Sequence, residues 1–145
     1  MFSKAAEYAI KAMIYIADKS SEIKKISVVE VAKGINAPKP FTAKILQILA
    51  RKKVLRSIKG PRGGFYLKSQ DLEQSVAQII YAIDGNIPFN NCVLGLHVCS
   101  EENPCPLHHQ YKEIRKDIID MIENNTLSEF IVKLRRGEIY LMNLN

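Results

Sequence analysis

Val54-Leu55-Arg56-Ser57-Ile58-Lys59-Gly60-Pro61-Arg62-Gly63-Gly64-Phe65-Tyr66-Leu67-Lys68 is the stretch whose reading decides the fold. Val54–Ile58 and Phe65–Lys68 are rich in β-branched or aromatic residues, the composition of two short strands joined as a hairpin. Glycine permits the unusual backbone angles of a tight tip. Lys59 and Arg62 stand in that tip, where two cations suit phosphates or a narrow minor groove.

Two short helical patterns precede the hairpin. Ser27-Val28-Val29-Glu30 is a capping-box pattern, and Val28, Val31, Ala32 and Ile35 follow at helical spacing. Gly34 and Asn36 suit a helix end and turn. Pro38 and Pro40 suit the start of a second helix, where a missing N–H costs little. Phe41, Ile45, Ile48 and Leu49 form its expected buried stripe. Lys39, Ala43, Gln47 and Ala50 lie opposite, flanked by Lys44 and Arg51.

Two helices and then a hairpin is the order of a winged helix-turn-helix. The predicted fold is mainly α with a small β-hairpin wing, extended by a long dimerisation helix. The second helix then presents its N-terminal half to base edges in a major groove. Gln47 can read adenine and Ala43 can touch a thymine methyl. Lys39, Pro40, Lys44 and Arg51, with Lys59 and Arg62 of the wing, complete the expected DNA-binding set. A solvated helix face and an ordinary basic hairpin are the plain alternatives.

Ile45-Leu46, Val54-Leu55-Arg56-Ser57 and Lys59–Leu67 together resemble the Rrf2 family of bacterial transcription regulators. Glu7-Tyr8-Ala9-Ile10-Lys11-Ala12 is similar to that family's opening helix. The resemblance runs from Met1 to about Phe130, and the wing motif is its most specific part. It implies a regulator of transcription that binds duplex DNA.

Charge is divided in the same sense. Residues 1–70 hold 15 Lys or Arg against 4 Asp or Glu, and residues 71–145 hold 6 against 11. The excess cation falls in the half expected to meet DNA. The start of the chain carries no signal-peptide pattern, since Glu7 and Lys11 interrupt its apolar run. No run is long enough to span a membrane. A cytoplasmic protein without membrane contact is expected.

Ser3 can cap a first helix with an apolar face of Ala5, Ala9, Ala12, Met13 and Ile16. Ser21–Ile26 reads as an exposed polar connector. Val76, Ile79, Ile80 and Ile83 mark another helix after the wing, closed by Gly85. Leu107, Tyr111, Ile114, Ile118 and Met121 recur at spacings of four, three, four and three, an a/d seam with a period near 3.5. Ile119 and Ile122 widen it. Such a helix suggests a homodimer, which sets two recognition helices about one turn apart on a near-palindromic operator. Thr126-Leu127-Ser128-Glu129 is a second capping box, and Glu138–Asn145 reads as a strand or a tail. Residues 1–85 are therefore expected to form the DNA-binding unit. Residues 86–106 would be a sensor loop, and 107–145 the dimerisation helix with a C-terminal helix or tail.

All three cysteines fall in that irregular stretch. Long loops inside compact domains are often functional. Six residues separate Cys92 from Cys99 and five separate Cys99 from Cys105. Thiolates are soft ligands for iron–sulfur clusters, Zn²⁺ or Cu(I). These intervals exceed those of zinc-finger pairs. With Pro106 as first helical residue, Cys105 would sit at a helix N-terminus, where the dipole favours thiolate. The resemblance implies that Cys92, Cys99 and Cys105 hold a [2Fe–2S] or [4Fe–4S] cluster, although the family's first interval is usually five residues. It offers two fourth ligands: His108, as in the iron–sulfur-biogenesis type, or Glu7 from the partner subunit, as in the nitric-oxide-sensing type. His97 and His109 are further options.

The expected function is thus a dimeric, sequence-specific transcription regulator controlled by a cluster that senses redox state, nitric oxide or iron supply. Zn²⁺ or direct cysteine oxidation is the alternative at the same loop. A winged-helix protein-interaction module without DNA binding is the alternative from another class. No phosphate-cradling loop, acid/base carboxylate pair or nucleophile–base motif is present, so an enzyme is not expected.

Overall fold

A computed structural model describes residues 2–85 and 91–141. Helix α1 (Lys4–Lys19) is its axis. Ala6, Ala9, Ala12, Met13, Ile14, Ile16 and Ala17 are all buried along it. Alanine at so many positions lets neighbouring helices approach closely, because interaxial distance follows side-chain size. The Ser3 hydroxyl accepts from the Ala6 N–H at 3.0 Å and donates to Asp84 Oδ1 at 2.6 Å. One residue thereby caps α1 and fastens its start to the end of α4 (Val76–Asp84).

Helix α2 (Val28–Gly34) begins at Ser27, whose hydroxyl accepts from the Glu30 N–H. Gly34 ends it beside Tyr15; a Cβ there would lie 2.3 Å from the tyrosine ring. Asn36 turns the chain with φ 52°, and α3 (Lys39–Arg51) follows with Pro38 at its cap. The buried stripe of α3 is Thr42, Ile45, Leu46 and Leu49, while Phe41 and Ile48 are half-buried. Thr42 tolerates burial because its hydroxyl donates to the Pro38 carbonyl at 2.9 Å.

The wing is an antiparallel pair, β1 (Arg56–Ile58) and β2 (Gly64–Tyr66), with Ser57 opposite Phe65. It is shorter than the strands expected over Val54–Ile58 and Phe65–Lys68, because Leu55 and Leu67 turn into the core. Its root has a third member. Ile26, expected in an exposed connector, is fully buried and exchanges two backbone hydrogen bonds of 2.8 Å with Phe65. Gly64, with φ 146°, permits this approach: a Cβ would stand 2.7 Å from the Ile26 carbonyl oxygen. Asp71 locks the strand from the other side, taking Arg56 Nε at 2.7 Å, Arg56 Nη2 at 3.2 Å and the Lys68 N–H at 2.8 Å.

The remaining helices are α5 (His108–Glu123) and α6 (Leu127–Arg135). Capping boxes Ser75/Gln78 and Thr126/Glu129 open α4 and α6. Those starts are stitched together by Val76 N–H to Asn125 O and Leu127 N–H to Gln74 O. Leu127 and Ile131 enter the same core as α1, and Arg135 reaches Asp18 at 3.2 Å. Helix α5 is different. Ile122 is its one buried residue, and Leu107, Ile114 and Met121 are 42%, 55% and 48% exposed. The seam is therefore covered only in part within one chain: Tyr111 and Ile118 are half-buried, and Ile118 packs beside Ile122. Residues 138–141 form no helix or strand, and the rest of the expected 138–145 tail lies outside the described residues, as do 86–90 of the sensor loop. Among the described residues, no helix is long and apolar enough to cross a membrane.

Two predictions test this account. Gly64→Ala is expected to destabilise the protein by about 2 kcal/mol, through an unfavourable φ and the contact with Ile26; chemical denaturation reads it. The Arg56 guanidinium holds the Asp71 carboxyl below its usual value. A depressed folded-state value contributes stability that is complete above the unfolded value and is lost as pH falls through the folded one. The melting temperature of Asp71→Asn should accordingly be lower at pH 7 and decline less between pH 5 and pH 2 than that of the native chain.

Candidate functional site

One face of the molecule collects cations. Lys39, Pro40, Lys44, Gln47 and Arg51 are exposed along α3, and Ala43 is half-buried between them. Lys59 and Arg62 project from the wing tip, both exposed. None of these cations makes an ion pair among the described residues, whereas Arg56 is committed to Asp71. The first turn of α3 holds no acid and no side-chain cap. A helix start with no acid and no side-chain cap favours an anion. Lys25 joins the wing by stacking on Tyr66, with Nζ 4.6 Å from the ring centre.

The three thiols converge at the other end of the loop. Cys92, Cys99 and Cys105 bring their sulfurs within 4.8 Å of one another. Cys92 Sγ lies 3.7 Å from Cys105 Sγ, and the Cys105 N–H points to Cys99 Sγ at 3.5 Å. Between the last two, Ser100 and Asn103 close a small turn with reciprocal bonds. His108 completes the group, with Nδ1 3.1 Å from Cys99 Sγ. Cys92, Cys99, Cys105, His108 and Tyr111 line a hollow of about 40 Å³, ample for one ion.

Local dipoles set the character of each thiol. Backbone N–H groups of Leu96 and Leu94, the former dominant, pull Cys92 down to about 7 against a smaller effect of burial. Cys99 moves up: the Cys105 N–H favours its thiolate, but burial and the two neighbouring sulfurs outweigh it. Cys105 does not open the helix as expected. Pro106 and Leu107 form a turn, Leu107 is the cap, and the Cys105 carbonyl accepts from the His108 N–H at 3.0 Å. Backbone donors are found instead at Cys92, from Leu94 and Leu96, and at Cys99, from Cys105.

The other expected ligands are placed apart from the thiols. Glu7 sits in the first turn of α1 and pairs with Lys4 at 3.2 Å. Among the described residues, neither Glu7 nor His97 belongs to a ligand group. His109 gathers with Glu101 and His108 rather than with the sulfurs. Sequence reading overlooked Glu101 and Lys112. Glu101 Oε1 is 3.4 Å from His108 Nε2 and is held by the Lys112 ammonium. The signal available was the i, i+4 spacing of His108 and Lys112, which puts both on one helix face.

A two-helix motif with a cationic second helix and a basic hairpin defines a winged helix-turn-helix protein of the transcription-regulator class. Comparison with known proteins agrees. The chain belongs to the Rrf2 family: the family profile, described as an iron-dependent transcriptional regulator, matches residues 2–133. A protein of Aquifex aeolicus that bears the name of an HTH-type transcriptional regulator is 34% identical over 133 residues, covering 90% of this chain and 91% of its own. Among solved structures, CymR, the global cysteine regulator of B. subtilis, superposes with TM-score 0.72 at 20% identity, over 91% of this chain and 96% of that one. IscR of T. potens superposes with TM-score 0.71 at 18% identity, over 97% and 92%. The family is one of regulators, not of enzymes.

The thiols should differ in reactivity. In metal-free, reduced protein, alkylation of Cys92 by iodoacetamide should rise with a midpoint near pH 7 and run ahead of Cys99 at neutral pH, since the thiolate is the nucleophile. Peptide mapping of quenched time points provides the check.

Proposed function

We propose that this chain is a homodimeric, cytoplasmic regulator of transcription whose grip on a near-palindromic operator is governed by an iron–sulfur cluster. The observation that carries the reading is the convergence of Cys92, Cys99, Cys105 and His108 at the foot of α5. The donor set fits the group: three soft thiolates and one imidazole are ligand types that iron–sulfur clusters accept. When bound, such a cluster supplies a redox-active, nitric-oxide-reactive centre. Glu7 of a second copy remains the other candidate for the fourth position.

The chain's own residues then divide the work. Lys39, Pro40, Lys44, Arg51, Lys59 and Arg62 position the protein on phosphates and the minor groove, and Gln47 and Ala43 read bases. The exposed seam of Leu107, Ile114 and Met121 is the surface on which two copies pair. An apolar hollow lined by Ile10, Ile14, Val76, Met121 and Phe130 continues that surface. Ligation joins residues 91–105 to α5. A change there alters DNA affinity only by the free-energy difference between two arrangements of the DNA-binding units, residues 1–85.

A second reading is favoured by one distance. The 3.7 Å between Cys92 Sγ and Cys105 Sγ matches the edge of about 3.8 Å that Zn–S bonds of about 2.3 Å impose on a tetrahedral site. A single Zn²⁺ would then replace the cluster.

Anaerobic reconstitution with iron and sulfide, followed by metal and sulfide analysis and visible absorption, separates the two. Stoichiometric sulfide is expected; zinc without sulfide would favour the second reading. DNA-fragment selection with loaded and metal-free protein should yield a two-fold symmetric site. Affinity for it should fall steeply with salt, because phosphate contacts release counterions. Arg62→Ala should flatten that dependence by about one unit of slope. Gln47→Ala should instead relax base preference at one position per half-site. Salt-independent binding would count against the proposal.

A further inference from the structure

We propose that Glu101 is a positioning residue for His108: its carboxylate holds the imidazole as the Nε2–H tautomer, leaving the Nδ1 lone pair directed at the thiol site. The inference rests on the reading of that site as a metal or cluster centre, and specifies which imidazole atom it is offered.

The argument starts from a buried atom. His108 Nε2 is shielded from solvent and makes no hydrogen bond of ordinary geometry among the described residues. Its polar neighbour is Glu101 Oε1, 3.4 Å away. A neutral imidazole carries one N–H and one lone pair, and the choice between them is set by what each nitrogen faces. An ionised carboxylate accepts only. A lone pair on Nε2 would oppose the carboxylate oxygen, while a proton there is attracted to it. Glu101 is anchored by the Lys112 ammonium, so its carboxylate oxygen stays turned toward Nε2.

Geometry on the other side completes the assignment. With the proton on Nε2, Nδ1 presents its lone pair 3.1 Å from Cys99 Sγ. In metal-free protein that lone pair accepts the Cys99 S–H. Toward a metal it is the ligand atom, with the carboxylate as the outer partner that histidine ligands usually have. Helical spacing makes the device self-contained, because Lys112 is one turn beyond His108 and anchors Glu101 from the same face. The Lys112 ammonium also makes the cluster of Glu101, His108 and His109 a poor cation site, despite its ligand-like spacing.

The test uses the full chain and does not depend on any metal. Long-range ¹H–¹⁵N correlation spectra of reduced, metal-free protein at pH 8, with His97→Gln and His109→Gln for assignment, report the tautomer of His108. The Nε2–H form is expected in the native protein and in Glu101→Gln, whose amide oxygen still accepts. Glu101→Ala should shift His108 toward a tautomer mixture. A predominantly Nδ1–H native imidazole, or an Nε2–H imidazole unchanged in Glu101→Ala, would overturn the assignment. Zn²⁺ titration against a chromophoric chelator gives the second readout: Glu101→Ala should bind at least tenfold more weakly and Glu101→Gln close to native, on the scale of about 10–100-fold for outer partners of ligating histidines. Equal affinity in all three proteins would also overturn it. Failure of the native chain to bind Zn²⁺ or a cluster would defeat the metal-centre reading and, with it, this role for Glu101. A failed tautomer assignment would leave metal binding standing.

Discussion

Burial of α1 on nearly every side is the constraint from which the rest of the molecule follows. Its alanines admit α3, α4 and α6 at close range, and Met13 and Ile16 fill the space between. A helix so enclosed exposes little side chain of its own, so it contributes support rather than recognition. It also fixes the orientation of everything that does meet a partner. The face of α3 turned away from α1 is the cationic face, because Ile45, Leu46 and Leu49 have been drawn inward. Replacing Ala9 or Ala12 with a larger residue would separate these helices, and packed interiors resist such insertion.

Much of this was legible in the sequence because it is local. Ser3, Ser27 and Thr126 cap the helices they were expected to cap. Gly85 ends α4 with φ 70°, and the wing's register follows from its glycines. What escaped was non-local. Ile26 lies among Ser, Glu and Lys, and nothing in that neighbourhood announces that it bonds to Phe65, 39 positions later. Thr42 reads as polar until its hydroxyl is seen to bond within its own helix. Leu46 falls outside the stripe drawn through Phe41, Ile45 and Ile48, since the core wraps farther round α3 than one face.

The thiol site shows the same division. Three cysteines in one irregular segment announce soft-ligand chemistry by composition. Their individual characters depend on which amide groups surround each sulfur, and that is a matter of turn geometry. Cys105 stops short of the helix because Pro106 and Leu107 spend two residues in a turn. Cys92 meets the N–H groups of Leu94 and Leu96 because the chain bends back immediately after it. Glu101 escaped because a carboxylate in a loop has no periodic partner to reveal it.

Cys105 and His108 occupy the base of α5, whose opposite end is anchored: Ile122 is buried with Ala6, Val76, Ala77 and Ile80, and Ile118 and Ile119 pack beside it. Sixteen residues at 1.5 Å each make a rod about 24 Å long, so a tilt of about 5° about that anchored end would carry the foot, with its thiols, through about 2 Å. A displacement of that size at the foot is the same event as a small rotation of the exposed residues between, as with an oar turning in its rowlock.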